Sequence, residues 1–136
     1  MKVAVIGSRS FNDYDLLKKS LDEIKDITLI VSGGARGADT FGEKYADEKG
    51  IPKKIIKPDW KTYGKAAGFI RNKEIVSNSD IIVAFWDGTS HGTAHSISIA
   101  EKQGKKVIII KFTFIPEQLP LHSKGTPLTN IESLIK

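Results

Sequence analysis

The first residues that could do chemistry follow the apolar run at positions 2–6. Gly7 lets the backbone approach a ligand, Ser8 can donate a hydrogen bond, and the guanidinium of Arg9 offers a fixed fork of donors to a phosphate. The same three residues would also suit an ordinary turn between a strand and a helix. We interpret them as candidate ligand-binding residues, with the plain turn as the alternative.

A second loop, residues 33–39, is richer in glycine. Gly33, Gly34 and Gly37 surround Arg36 and lead into a predicted helix, whose free N–H groups and dipole favour an anion. The loop is neither a Walker A motif, because no Gly-Lys-Ser/Thr follows, nor a dinucleotide GxGxxG motif. We expect Arg36 to contact a phosphate, so that its loss weakens binding far more than folding. Close packing of the helix is the alternative for the glycines.

Asp39 follows this loop in the predicted first turn of the helix. A carboxylate in that position stabilises a helix by itself, through the helix dipole. Asp39 is therefore a candidate ligand contact with a purely structural alternative.

A third loop is dense in small hydrogen-bonding residues and also precedes a predicted helix. It could wrap a phosphate or a ribose, and a capped polar turn is the alternative. His91 titrates near neutral pH, and His95 lies one helical turn further on, a spacing that can hold a metal ion. No acidic ligand is spaced nearby, so we expect no metal. The candidate ligand-binding residues here are Asp87, Gly88, Thr89, Ser90, His91, Gly92 and Thr93.

The segment at residues 68–74 adds two adjacent polar residues, Arg71 and Asn72, among apolar neighbours. An arginine near the end of a sheet could reach a phosphate, whereas a solvated helix face is the alternative. Trp60 and Tyr63 could stack on a base or simply cover the core.

The composition limits the class of protein. A chain of 136 residues fits one domain, and the absence of cysteine excludes disulfides, a thiolate zinc site and a cysteine nucleophile. The net charge of +5 fits nucleic acid or small anions as partners, and equally a surface of solubilising lysines. No apolar stretch has the length of a signal peptide or a membrane span, so we expect a cytoplasmic protein without a membrane partner.

Strand and helix patterns alternate five times along the chain. The strands are predicted at residues 2–6, 28–31, 54–57, 80–86 and 106–112, and the helices at 13–25, 38–49, 66–77 and 93–103. This alternation predicts an α/β, Rossmann-like three-layer fold with a five-stranded parallel sheet in the order 3-2-1-4-5. We expect one domain over residues 1–112. Prolines then predict an irregular C-terminal tail at 113–136 that packs on it.

This topology predicts where the loops meet. Ligands of open parallel sheets bind beyond the carboxyl ends of the strands, where the strand order switches. The three loops leave strands one, two and four, so we expect all of them to face one crevice.

Four motifs in order, GSRSF, VSGGARGAD, AGFIRN and DGTSHGTA, resemble the SLOG superfamily. The similarity is strongest to its small YspA/YpsA-like branch and runs over residues 2–111. LOG-type members release a base from nucleoside monophosphates with the help of a glutamate in a PGGxGTxxE motif. The resemblance places Ser96 at that glutamate, which puts the same hydrolysis in doubt, although Glu74 beside Arg71 could substitute as a catalytic pair.

DprA-like proteins share the GSR start and the F-x-RN helix, and this likeness implies binding of single-stranded nucleic acid. Sensor SLOG domains bind nucleotide derivatives. The sequence therefore predicts a protein that binds a phosphorylated nucleotide or nucleotide derivative, as a sensor, a sequestering protein or a slow nucleotide-processing enzyme. The alternatives are an N-glycosidic hydrolase and a nucleic-acid-binding protein. We expect no cofactor, and the sequence leaves a homo-oligomer open.

Overall fold

The computed structural model describes residues 1–113, which form a parallel sheet flanked by helices. The strands are β1 (Lys2–Gly7), β2 (Leu29–Ser32), β3 (Lys53–Ile55), β4 (Ile81–Trp86) and β5 (Lys106–Lys111). The helices are α1 (Tyr14–Asp22), α2 (Ala38–Lys49), α3 (Trp60–Tyr63), α4 (Ala67–Ser77) and α5 (His91–Lys102), with a 3₁₀ turn at Gly64–Ala66.

The sheet has the order β3-β2-β1-β4-β5, and every pair is parallel, as predicted. Val5 pairs with Val83, and Gly7 pairs with Phe85. Strands β1 and β4 therefore end at the same level in the middle of the sheet. The loops that follow them emerge side by side, at the switch point of the strand order.

Two apolar cores cover the two faces of the sheet, because successive side chains of a strand point to opposite faces. Val3 and Val5 of β1 contribute to the core beneath α1 and α2. Ala4 and Ile6 contribute to the core beneath α4 and α5. The near-continuous apolar strands are what a sheet buried on both faces requires.

The ends of the helices follow local chemistry. Asp13 caps α1, accepting a hydrogen bond from the Leu16 amide at 3.0 Å. Gly50 ends α2 in the left-handed conformation, with φ of 67°. The helices of residues 1–113 are each too short or too polar to cross a bilayer.

The structure moves several predicted boundaries. Helix α5 begins at His91 rather than Thr93, so the end of the third loop is in fact a helical turn. Strand β3 is the short segment Lys53–Ile55, and α3 was missed altogether. The predicted irregular tail, apart from residue 113, falls on residues 114–136, outside the described residues.

Candidate functional site

A cavity of about 470 Å³ opens at the carboxyl edge of the sheet. The loop after β1, the first turns of α2 and α5, and the middle of α4 enclose it. Its lining consists of Ile6, Gly7, Ser8, Arg9, Ser10, Ala35, Asp39, Arg71, Asn72, Ile75, Ser90, His91, Gly92, Thr93 and Ser96. The predicted meeting of loops at one crevice is therefore seen in the described residues.

The N-terminus of α5 faces this cavity. No side chain caps the helix, and the residues of its first turn, His91, Gly92 and Thr93, line the cavity. The amides of a first helical turn have no acceptor within the helix. A β-carbon added at Gly92 would meet nothing within 4 Å, so space above the turn is open.

A network of hydroxyls fixes the loop before α5 to the loop after β1. The buried Ser8 hydroxyl accepts a hydrogen bond from the Asp87 amide at 3.1 Å and one from the Ser90 hydroxyl at 2.9 Å. Ser8 is thus a link between the two loops as well as part of the cavity wall.

Asp87 organises its own loop rather than the cavity. Its carboxylate accepts hydrogen bonds from the amides of Thr89 at 2.9 Å and Ser90 at 2.8 Å. Partial burial acts to raise the pKa of Asp87, but these hydrogen bonds to the charged form outweigh it and lower the pKa to about 2. Asp87 is therefore an ionised turn-forming residue.

Arg71 of α4 is the half-buried cation of the site. Its Nη1 donates to the Gly33 carbonyl at 2.7 Å, and its Nε donates to the Asn72 side-chain oxygen at 3.0 Å. Burial lowers the pKa of Arg71, the Asp39 carboxylate opposes this, and the charge of Arg9 adds to the lowering. Two guanidinium groups therefore repel each other across this cavity.

Asp39 is buried beneath the second loop. Its Oδ2 accepts hydrogen bonds from the Gly33 amide at 3.1 Å and the Ala35 amide at 3.2 Å. Burial raises the pKa of Asp39 to about 6, although these amides and Arg71 act to lower it. Amides of the protein already donate hydrogen bonds to this carboxylate. Asp39 lines the cavity, as expected for a ligand-binding residue, and its contact with a ligand stays a prediction.

The glycines of the second loop make room for protein atoms. A β-carbon at Gly37, whose φ is 79°, would collide with the backbone of Ser8 and Arg9. A β-carbon at Gly33 would lie 2.5 Å from Arg71 Nη1 and 2.7 Å from Asp39 Oδ2. Both glycines therefore have a packing role, against the loop after β1 and against the side chains of Arg71 and Asp39, rather than between the helix and its strand.

Ten of the predicted site residues line the cavity, nine of them predicted to bind the ligand and one, Arg71, predicted as part of a catalytic pair. They are Gly7, Ser8, Arg9, Asp39, Arg71, Asn72, Ser90, His91, Gly92 and Thr93. The lining does not include Gly33, Gly34, Arg36, Gly37, Glu74, Asp87, Gly88 or Thr89. Arg36 and Glu74 are exposed to solvent. The roles of all these residues toward a ligand remain predictions.

The predicted site residues do not include Ile6, Ser10, Ala35 or Ile75, which also line the cavity, although Ser10 and Ala35 lie in the predicted loops. Ile75 follows Arg71 by four residues, and this helical spacing could have found it. Ser96, considered only as the replacement for a glutamate, is buried in the cavity wall and donates a hydrogen bond to the Gly92 carbonyl at 3.3 Å. Across residues 1–113, acidic and histidine side chains form no group of three or more that could hold a metal ion.

The fold is shared with solved structures of the DprA type. DprA of Streptococcus pneumoniae is 20% identical, with a TM-score of 0.69 over 99% of this chain and 62% of that one. DprA of Helicobacter pylori, whose structure is described in terms of single-stranded DNA binding, is 22% identical with a TM-score of 0.64 over 99% of this chain and 78% of that one. These similarities establish the fold, and this chain spans less than two thirds of the S. pneumoniae protein.

Residues 1–63 match the model of the YspA, cpYpsA-related SLOG family. The Gene 61 protein of Mycobacterium phage D29 is 34% identical over 117 residues, which cover 79% of this chain and 94% of that protein. The chain belongs to the YspA/cpYpsA-related SLOG family.

Proposed function

We propose that the cavity binds a nucleotide or nucleotide derivative through its phosphate. The observation that carries this proposal is the uncapped first turn of α5, which opens into the same cavity as Arg9 and Arg71. Free amides at a helix N-terminus and guanidinium groups are both donors suited to phosphate oxygens.

The charge of the cavity supports an anionic ligand. Arg9 and Arg71 contribute two positive charges, and Asp39 is the one carboxylate in the described lining. Asp39 already accepts two backbone hydrogen bonds and lies beneath the loop. A phosphate placed between the arginines would remove their mutual repulsion, which a neutral ligand could not do.

The size and the walls of the cavity support a ligand larger than phosphate alone. Its volume of about 470 Å³ lies within the range of about 300–1,000 Å³ typical of small-molecule sites. Ile6 and Ile75 supply apolar wall, and Ser8, Thr93 and Ser96 supply hydroxyls. Apolar wall with a few placed polar groups suits the sugar and base of a nucleotide.

The same lining favours binding over hydrolysis of the glycosidic bond. Such hydrolysis uses a carboxylate near the ribose, to stabilise developing positive charge or to activate water. Ser96, which the resemblance aligns with that glutamate, contributes a buried hydroxyl to the cavity wall, and Glu74 is exposed on α4. We therefore propose a sensor or sequestering role, with any release of free base slow.

Titration calorimetry with AMP, GMP, CMP and UMP tests the proposal. We expect at least one to bind, and Arg9→Ala and Arg71→Ala each to weaken it about tenfold or more, because a hydrogen bond to a charged group contributes about 1.5–3 kcal/mol. Lys73→Ala is the matched control, since it removes the same charge from an exposed position on α4 outside the lining. Equal losses in all three variants would leave only a general charge effect, and no binding to the wild type would refute the proposal.

Single-stranded nucleic acid is a second candidate ligand. Trp60, Tyr63 and Phe69 are exposed aromatic side chains near the carboxyl edge of the sheet, and such side chains stack on bases in proteins of this class. A salt titration distinguishes the two candidates, because binding along a phosphate backbone weakens steeply with salt. A shallow dependence with oligo(dT) no tighter than UMP would exclude this candidate.

A further inference from the structure

One exposed aromatic ring lies beside the cavity without contributing to either core. Phe69, in the first turn of α4, is 57% exposed. Helix α4 precedes β4, so its N-terminal turn lies at the carboxyl edge of the sheet, where the cavity opens. A single exposed phenylalanine is ordinary on a protein surface, and what distinguishes this one is its surroundings.

The Phe69 ring contacts a second ring. Its centroid lies 4.4 Å from that of His95 on α5, with an interplanar angle of 51°. This is the single aromatic pair that Phe69 forms within residues 1–113. A side chain that contacts one neighbouring ring and remains 57% exposed offers open aromatic surface for stacking.

The ring pair is connected to the cavity through Asn72. The Asn72 Nδ2 lies 3.4 Å from His95 Nδ1, and Asn72 itself lines the cavity. Phe69 precedes Asn72 by three residues, which places the two side chains on the same face of α4. The stacking surface therefore continues the cavity wall on the side formed by α4.

We propose that Phe69 is the platform on which the nucleobase of the bound nucleotide stacks. This inference rests on the proposed function, because it takes the phosphate to be held by Arg9, Arg71 and the first turn of α5. The base then extends along α4 onto the free side of the Phe69 ring, with Asn72 near its edge as a hydrogen-bond partner. Every base has a flat π-face, so this platform favours nucleotides over sugar phosphates without choosing among bases.

The test of this inference compares a ligand that has a base with one that has only the sugar and the phosphate. Titration calorimetry would compare AMP with ribose 5-phosphate on the wild type, Phe69→Leu and Phe69→Trp. Leucine keeps an apolar side chain but removes the π-face, whereas tryptophan keeps that face. Ile109→Ala is the control, since Ile109 is an apolar side chain, 42% exposed, outside both the cavity lining and the ring pair.

We expect Phe69→Leu to weaken AMP binding about tenfold, to leave ribose 5-phosphate unchanged, and Phe69→Trp to retain AMP affinity. Ile109→Ala should leave the affinity for both ligands unchanged. An AMP affinity that is the same in Phe69→Leu and the wild type would overturn the platform and leave the proposed function intact. A wild type that binds neither ligand would overturn both.

An exposed ring can also be covered by a second copy of this chain. Sedimentation velocity on the same variants tests whether Phe69 forms such a contact. We expect the wild type and Phe69→Leu to sediment alike. A dimer that dissociates on Phe69→Leu would identify the ring as a contact between copies and overturn the platform.

Discussion

Two glycine-rich loops reach the same edge of the sheet and use glycine in opposite ways. In the loop at residues 33–37, the missing β-carbons of Gly33 and Gly37 are replaced by atoms of the protein itself. In the first turn of α5, the space beside Gly92 is open and belongs to the cavity. A glycine at a cavity wall indicates a ligand site more strongly when no protein atom occupies the space beside it, as at Gly92, than when packing explains it, as at Gly33 and Gly37.

The largest predicted effect is the loss of stability caused by Gly37→Ala. The new β-carbon would meet the backbone of Ser8 and Arg9, at a φ of 79° that alanine adopts poorly. We expect the free energy of unfolding to fall by about 3 kcal/mol or more, in the range of severe backbone strain and overpacking. Urea unfolding measures this change.

Gly92→Ala is the matched control for that experiment. Gly92 lies within helix α5 and has free space beside it, so alanine should stabilise the fold by about 0.5–1 kcal/mol. Equal destabilisation by the two substitutions would show that the loops do not differ as described.

The second effect concerns Asp39, which holds the loop at residues 33–37 from below. Its pKa is raised from 3.8 to about 6 in the folded protein. A raised pKa of an acid contributes stability that is present below its unfolded value and is lost as the pH rises through the folded value. Relative to Asp39→Asn, the wild type should lose on the order of 2 kcal/mol of stability between pH 4 and pH 7.

Asparagine is a fitting control because both loop amides donate to the single oxygen Oδ2 of Asp39, and an amide oxygen can accept the same bonds. Chemical unfolding of both proteins at several pH values gives the difference. A difference that is constant across this range would mean that Asp39 stays ionised in the folded protein.

The fold could be predicted from the sequence more fully than the role of each glycine. The buried strands have continuous apolar runs and the helices have clear ends, such as Asp13 and Gly50, so the strand order and the edge carrying the loops were predictable. The role of each glycine was not, because Gly33 and Gly92 look alike in a sequence. Their difference depends on contacts with Arg71 and Asp39 across the fold.

Arg71 illustrates the same limit. Its position in the F-x-RN segment indicated a residue able to reach a phosphate, and the structure places it in the cavity wall. Its bond to the Gly33 carbonyl spans 38 residues of sequence and could not be foreseen from local pattern. Short α3 was missed because four residues carry too little periodicity to predict a helix.

The third effect is a loss of ligand affinity at Gly92 without a matching loss of stability. Gly92→Val fills space at the cavity wall with a branched side chain at a position where the fold has room. We expect the affinity for the nucleotide that binds best in calorimetry to fall about tenfold or more, while the unfolding free energy changes by about 1 kcal/mol or less. Unchanged affinity would show that the ligand does not approach α5.

The smallest effect should come from Arg36→Ala. The sequence led us to expect that Arg36 contacts a phosphate and that its loss weakens binding far more than folding, because Arg36 stands among glycines beside a helix start. In the structure Arg36 is exposed and lies outside the cavity lining, whereas Arg71 occupies that wall. An exposed charge near a bound anion contributes about 0.2–1 kcal/mol, which corresponds to a fivefold loss of affinity or less.

Calorimetry on Arg36→Ala, Arg71→Ala and the wild type measures this order directly, with thermal unfolding as the control for folding. Substitution of Arg36 should change stability by no more than about 0.5 kcal/mol, as for other exposed positions. A tenfold loss from Arg36→Ala would show that this loop contacts the ligand after all, and that the inward-facing glycines serve to present its arginine. A fivefold loss of affinity or less from Arg36→Ala, with a larger loss from Arg71→Ala, would show that the second loop supports the site without contacting its ligand. The anion would then be bound by the first turn of α5 and the two arginines of the cavity lining.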